Sequence, residues 1–463
     1  MGKKTLVLLT TLLCLSTGLA SAAKTNTLST NQKLRLDNEL KAMIGDTGTK
    51  VPGLGVVVYK NGKEVYKNFL GSRIINNQDR SKDLPVTENT RFRAASVSKH
   101  FTAYTIMQLA EKGKIGLDED ISNYLGFKLR NPNFPDTPIT VRMLMSHTSS
   151  LRDGALYTIA PQYSVKEFFS PTGKYFENGA HYAPKDQTPG AYFKYANLNY
   201  GLLGTIIEAV TGKRFDKYQK SHILKQLDIK ADYCVGNLDP AEFKNLGTIY
   251  QKNTKGKWDE KGPWVAQIDG FNGKQPAKDL VYIENPDHRE TDTWQSLKGY
   301  KPGTNATFFS PQGGLRISYG ELGHDLEFLI NGGIYKGKRI LKASSLAEMI
   351  KPQWIYNPQK PNGSTYGGTI EAYGLGLYHI IGNSTSRVCK NHVLNLVGHT
   401  GEAYGELSGV FFDPKTKNGF IYMMNGEAVA EDDDPRSAGR FSGNYIWEEN
   451  IMNAISENAF FES

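Results

Sequence analysis

Three short stretches of this 463-residue chain carry side chains whose types and spacing could break an acyl bond. In "RAASVSKHFTAYTIMQLAEKGK", Ser96 and Lys99 stand three apart, S-x-x-K, at the start of an apolar-periodic run. A serine in the first turn of a helix lies near the positive end of its dipole, and a lysine three residues on shares its face. A serine hydroxyl is a poor nucleophile until a base takes its proton. Lysine has an ordinary pKa of roughly 10.4, so acting as that base near neutrality requires a loss of about three units through burial or cationic neighbours. Alternatively the amine stays charged and depresses a nearby tyrosine. The same string recurs at Ser21 to Lys24, so context has to separate the two.

The second stretch, "FKYANLNYGLLGTIIEAVTG", supplies a tyrosine in Tyr195-Ala196-Asn197. Y-x-N also occurs at Tyr59-Lys60-Asn61 and Tyr66-Lys67-Asn68, inside a run that reads as a hairpin. Tyr195 instead ends a loop leading into a helix, where a phenol and an amide can project into a cleft. The third stretch is "VGHTGEAYGELSGVFF". His399 offers a titratable donor, Thr400 a hydroxyl, and Gly401 a place where another backbone can come close. A bound acyl group could pair with such an edge by strand addition.

The elements that position these residues follow from periodicity. Leu36, Leu40, Met43 and Ile44 fall at helical spacing near the start of the mature chain. Two β-branched runs then flank Asn61-Gly62, the dipeptide suited to a type I′ hairpin turn. "GVFFD" and "GFIYMM" repeat this pattern near the other end, and "GNYIWEENIMNAIS" reads as a closing helix. Lys99 to Lys112, ended by Gly113, and Asn199 to Thr211, ended by Gly212, are internal helices. Sheet signals at both ends with helices between give an α/β (α+β) class: a sheet layer from about 31–95 and 305–463, and a mostly helical lobe from about 96–304. Residues 250–304 are polar and rich in Gly, Pro, Lys and Asp, the composition of long loops or a decorated insertion.

Composition excludes several classes. At 39% hydrophobic and 11% aromatic the chain can bury a large core, so disorder is not expected. Lys3 and Lys4, the apolar run Leu6 to Leu15 and Ala20-Ser21-Ala22 form an export signal over residues 1–22, which points to a secreted or periplasmic protein. No apolar run reaches the roughly 20 residues of a membrane span. The net charge of +8 is dispersed among acids, which does not fit nucleic-acid binding. The dense run Glu431 to Asp434 reads as a solvated loop. Cys234 and Cys389 could form at most one disulfide in the mature chain. There is no CxxC, HExxH, Walker loop or G-x-S-x-G elbow, and neither a metal nor a cofactor is expected.

Taken together, Ser96-x-x-Lys99, Tyr195-x-Asn197 and His399-Thr400-Gly401 resemble the three motifs of the penicillin-recognising serine hydrolases. Y-x-N in second place is similar to the class C β-lactamase branch, which also contains D-alanyl-D-alanine carboxypeptidases, D-aminopeptidases and esterases. "MLMSHTSSL" at 143–151, "SPQGGLRISYGELGHDLEFLINGG" at 310–333 and "YGLGLYHI" at 373–380 extend the resemblance. It implies a β-lactamase-like fold over residues 23–463, and an acyl-enzyme on Ser96 with Lys99 and Tyr195 moving the proton. Asn197 would hold the substrate amide, and the amides of Ser96 and Glu402 would hold the oxyanion. The substrate would be a small molecule or a peptide, peptidoglycan fragments included. Two departures bear on it. His399 replaces the lysine that grips a substrate carboxylate in β-lactamases, and Glu402 would repel anionic substrates. The resemblance therefore points to a peptidase, aminopeptidase or esterase before a β-lactamase, with a silent cell-wall-binding protein as the non-enzymatic alternative.

Overall fold

The computed structural model describes residues 27–283, 293–383 and 386–461. The export signal and the second S-x-x-K lie outside them. Ser29 opens helix α1 (Thr30–Ala42) with a reciprocal capping box to Gln32, and Leu36 and Leu40 are its buried stripe. Strand β1 (Gly53–Lys60) turns into β2 (Lys63–Ile74) through Asn61 (φ 51°) and Gly62 (φ 79°), the two left-handed residues of the expected turn.

Strand β3 (Leu84–Pro85) edges the sheet. After it, β4 (Arg91–Arg93) runs into a 3₁₀ turn (Ala95–Val97) and helix α2 (Ser98–Glu111). Nearly every residue of α2 is buried, so it forms the spine of the helical lobe. Helix α3 (Asn197–Thr211) ends where Gly212 (φ 67°) leaves the helical region.

The polar stretch after α3 holds more strand than its composition suggested: β5 (Ile249–Thr254), β6 (Trp264–Ile268), β7 (Leu280–Ile283) and β8 (Thr293–Ser296). β5 pairs with β6, and β7 with β8, so the two strands of each pair supply each other's ladder partners without a long apolar run. Strand β9 (Arg316–Ser318) pairs with β4 and leads into helix α4 (Tyr319–Ile330). Buried Arg91 in β4 is clamped by Glu321 of α4 and by Glu242. Stripping one partner from such a buried pair costs about 3–5 kcal/mol.

Apart from the two-residue strands Lys257–Trp258, Ile334–Tyr335 and Lys338–Arg339, the strands still to place are β10 (Trp354–Ile355), β11 (Ala372–Tyr373), β12 (Tyr378–Ile380), β13 (Leu396–Ala403), β14 (Glu406–Phe412), β15 (Gly419–Met424) and β16 (Gly426–Glu427), followed by helix α5 (Ile446–Ala459). The first six of these strands complete a nine-stranded antiparallel sheet in the order β10-β11-β12-β13-β14-β15-β1-β2-β3, while β16 joins β5. β1 lies against β15, with Leu54 opposite Met424 and Tyr59 opposite Gly419, so sequence-distant ends meet in one layer. The two faces bury different sets. Val56, Val58, Phe420 and Tyr422 pack against α1 and α5, while Val57, Val410, Ile421 and Met423 pack under the helical lobe. Cys234 and Cys389 are both free and belong to different parts of the core.

Candidate active site

Ser96 sits in the 3₁₀ turn that joins β4 to α2. Ala95, just before it, has φ 36°, a strained value for a residue with a side chain. The half-buried Ser96 hydroxyl is thereby held at the lobe–sheet seam. Ser98 is only structural: its hydroxyl accepts the Leu315 amide proton at 3.2 Å.

Lys99 is fully buried, and its Nζ has three oxygen neighbours: Ser96 Oγ at 2.9 Å, Asn197 Oδ1 at 3.0 Å and the Gln312 carbonyl at 3.1 Å. Two of them can only accept. A neutral amine has two N–H groups for those two acceptors and one lone pair left for the serine proton. Burial pushes Lys99 well below the ordinary lysine range, and only Asp153 opposes this electrostatically. Tyr195 Oη donates to Ser96 Oγ at 2.9 Å, and the lysine nitrogen lies 4.7 Å from the Tyr195 ring centre. Burial holds the Tyr195 phenol well above its ordinary range, so it is a proton donor at rest.

Four residues outside the three motifs complete the wall. His147 stacks on Tyr195 with ring centres 4.2 Å apart, and its Nδ1 accepts from the Ala196 amide and the Asn199 side chain, each at 3.2 Å. Burial and then Lys99 push His147 well below the ordinary histidine range, so it wedges the tyrosine as a neutral ring. Asp153 accepts from the Leu198 amide at 2.8 Å and from Asn197 Nδ2 at 3.3 Å, so Asn197 bridges Lys99 and Asp153. The Gln312 carbonyl is the second acceptor for Lys99. Tyr373 meets His399. His147 and Gln312 fall inside "MLMSHTSSL" and "SPQGG", and Asp153 lies two residues beyond the first of these. Those stretches were the only signal in sequence.

On the opposite wall, β12 pairs with β13 only as far as Gly398, which leaves His399 to Ala403 without a strand neighbour on that side. Gly401 lies against the turn that carries Ser96. A Cβ there would come within 2.3 Å of Ser408 Oγ and 2.7 Å of the Ala94 carbonyl. Thr400 accepts from Tyr378 Oη at 3.2 Å. His399 is 2% exposed, with Nε2 3.0 Å from Tyr373 Oη and Nδ1 2.5 Å from the Thr400 carbonyl. Burial, then Lys99, push it well below the ordinary histidine range. His399 therefore braces Tyr373 as a neutral ring and presents no cation. Glu402 opposes Leu407 of β14 and is exposed.

A cavity of about 430 Å³ opens beside Gln312, walled by Tyr157, Phe271, Tyr282, Trp294 and Phe308. Two of these aromatics, Tyr282 and Trp294, come from β7 and β8. Among the described residues, three potential metal-binding groups converge only at Asp216, Asp232 and Cys234. Arg214 and Lys220 already pair with those carboxylates, which leaves the cluster a satisfied ionic knot.

The fold that carries these residues is shared with known proteins. A D-amino acid amidase from Ochrobactrum anthropi SV3, solved with L-phenylalanine amide, superposes with a TM-score of 0.58 at 20% identity, covering 91% of this chain and 98% of that one. The octameric penicillin-binding protein homologue from Pyrococcus abyssi gives 0.56 at 24% identity over 86% of this chain and 74% of that one. EstCE1, a hydrolase with promiscuous acyltransferase activity, gives 0.57 at 19% over 91% and 99%. In sequence, Protein flp of Staphylococcus aureus (strain MW2) is 29% identical over 180 residues, 39% of this chain; the match spans about a third of that relative's length, 34%. A Beta-lactamase of Pseudomonas fluorescens is 28% identical over 235 residues, 50% of this chain and 59% of its own. The Beta-lactamase family model matches residues 39–444, nearly the whole described fold including all three motifs, and the chain belongs to that family.

Proposed function

We propose that the protein is an exported serine hydrolase that moves the acyl group of an amide or ester first to Ser96 and then to water. The observation that carries this reading is the hydrogen bonding of Lys99: two acceptor-only neighbours and one hydroxyl, in a site that disfavours its charge. Ser96 Oγ attacks the carbonyl carbon as its proton passes to Lys99 Nζ. The Tyr195 phenol, bonded to the same oxygen, hands a proton to the departing amine or alkoxide and is reprotonated from Lys99. The resemblance puts the oxyanion between the amides of Ser96 and Glu402, where each donor is worth about 10²–10³ in turnover. Water then repeats the sequence on the acyl-enzyme and releases the acid.

The substrate class follows from charge. A buried neutral His399 and Glu402, whose carboxyl burial and Glu431 push up to about 9, stand where a β-lactam or a peptide carboxylate would need a cation. The cavity beside Gln312, whose aromatic wall also holds Arg93, Asp269 and Arg316, offers the aromatic face an apolar acyl side chain would use. Esters and D-amino acid amides are therefore favoured over penicillins and C-terminal D-Ala-D-Ala, and the D-amino acid amidase and hydrolase names among the structural neighbours support this. Intact hydrogen bonds among Ser96, Lys99 and Tyr195 argue against a silent binder of cell-wall fragments. A fluorophosphonate probe with peptide mapping tests the reading: Ser96 carries the label, and an unlabelled Ser96 in folded protein overturns it. In a turnover panel, p-nitrophenyl butyrate and a D-amino acid amide should outrun nitrocefin and a D-Ala-D-Ala peptide. The reverse order would make the protein a β-lactamase or a carboxypeptidase.

A further inference from the structure

In the acidic run read as a solvated loop, Asp432 and Asp433 are exposed as expected, but Glu431 is not. Glu431 folds back so that its carboxyl lies against those of Glu402 and Glu427. Glu427, in β16, is fully buried; β16 runs parallel to β5, with Glu427 opposite Gln251. Neither oxygen of Glu427 has a hydrogen-bond donor, and what faces it is Glu431, with Glu402 and Glu448 beyond. The loop's Arg436 is taken by Asp434 and Glu260. Three carboxyls thus converge with no cation paired to them among the described residues, the cost of which grows steeply on burial. One of them belongs to the exposed residue next to Gly401, which touches the nucleophile's turn.

We infer that Glu402 and Glu431, backed by the buried Glu427, form a cation subsite beside Gly401, which receives the ammonium group of a substrate whose leaving amine or alcohol carries one. The inference rests on the hydrolase reading and names its substrate more closely. Its placement comes from charge reversal. The third motif is where the resemblance puts the carboxylate of a peptide's departing residue, and here the cation of that motif is absent and an acid follows it. A divalent metal ion fits less well: no three oxygens of this corner lie within the 4.8 Å that brings Asp216, Asp232 and Cys234 together. Carboxyls spaced more widely suit a hydrated or alkylated ammonium, which attracts without demanding a coordination polyhedron.

The test uses three D-alanyl amides of equal length, with 1-aminobutane, 1,4-diaminobutane or 4-aminobutyrate as the leaving amine. The wild type should prefer the diaminobutane amide over the aminobutyrate amide by about 100-fold in kcat/KM, with the neutral amide between them. Glu431→Gln and Glu427→Gln, checked for unchanged melting, should compress that ratio to within about threefold while the neutral amide keeps its rate. Equal rates on the three amides in the wild type, or a ratio untouched by Glu431→Gln, overturn the subsite and leave the hydrolase standing. Failure of all three amides, together with p-nitrophenyl butyrate, overturns both. A calcium-dependent rise in melting temperature that Glu431→Gln removes would make the corner a metal site and overturn the ammonium assignment.

Discussion

The Ser96 wall and the Glu402 corner meet at Gly401, yet they treat buried polar atoms in opposite ways. Around Lys99 every hydrogen-bonding valence is used, and the charge the site disfavours is removed by leaving the amine neutral. Around Glu427 the valences are open, and burial with Glu431 drives the carboxyl well above the ordinary range. The first pattern preorganises a reaction, since its groups need no rearrangement when charge develops. The second is incomplete without something positive. On the proposed function, the difference separates residues that would do the chemistry from residues that would select what arrives.

The strongest way to break this division is at Ser96 itself. Ser96→Ala should lower ester turnover by at least about 10⁴-fold with the melting temperature unchanged, because the hydroxyl carries no fold contact beyond Lys99 and Tyr195. Surviving turnover would mean another nucleophile. Lys99→Met should be as inactive but more stable. A lysine whose folded pKa is depressed binds fewer protons than the unfolded chain does below about 10.4, so the native lysine costs stability throughout the neutral range and the methionine removes that cost. A thermal melt of the methionine variant that falls below wild type would show that Lys99 stays charged.

Tyr195→Phe comes next. It removes the donor to Ser96 Oγ and leaves the ring stacked on His147, so turnover should fall about 10²–10⁴-fold with little change in KM. A comparable loss in KM alone would demote the tyrosine to binding. Gly401→Ala is milder in chemistry and harsher on packing. The new methyl meets Ser408 Oγ and the Ala94 carbonyl, which should cost about 1–3 kcal/mol and push β13 away from the nucleophile's turn. Adding Ser408→Gly should recover part of both activity and stability, and no recovery would place the clash at the Ala94 backbone alone.

Ser96, Lys99 and Tyr195 were legible because helix starts and loop ends are written locally: S-x-x-K before an apolar run, and Y-x-N before another. The hairpin at Asn61-Gly62 and the capping of α1 are local in the same sense. His147 and Gln312 were not legible as site residues, because their roles depend on contacts across 49 and 213 residues of chain, respectively. The strands at 249–296 were hidden because their partners are one another and β16, which leaves no long apolar stretch to betray them. His399 was legible as a departure from lysine but not as a buried neutral brace, since its partner Tyr373 reaches it through the fold. Glu431 was the reverse case. A charge run is solvated by default, and only the return of the chain after β16 turns one of its members toward Glu402.

The smallest expected effect sharpens the acidic corner from its far side. Glu448 on α5 is nearly buried and accepts from Tyr422 Oη at 2.8 Å, and burial pushes its carboxyl up to about 7. A folded pKa above the unfolded value of roughly 4.3 means that the native state holds the extra proton. Its stabilising contribution is complete below that unfolded value and is lost as pH rises through 7. Glu448→Gln keeps the hydrogen-bond acceptor without the charge. It should therefore match wild type near pH 4 and melt higher at pH 8, by on the order of 3 kcal/mol at most. The same substitution should leave the amide preference set by Glu402 and Glu431 nearly intact, since Glu448 influences them only through space. If it abolished that preference while stability stayed flat with pH, the corner's selectivity would reside in Glu448, and the boundary between the catalytic wall and the selecting corner would have to move onto α5.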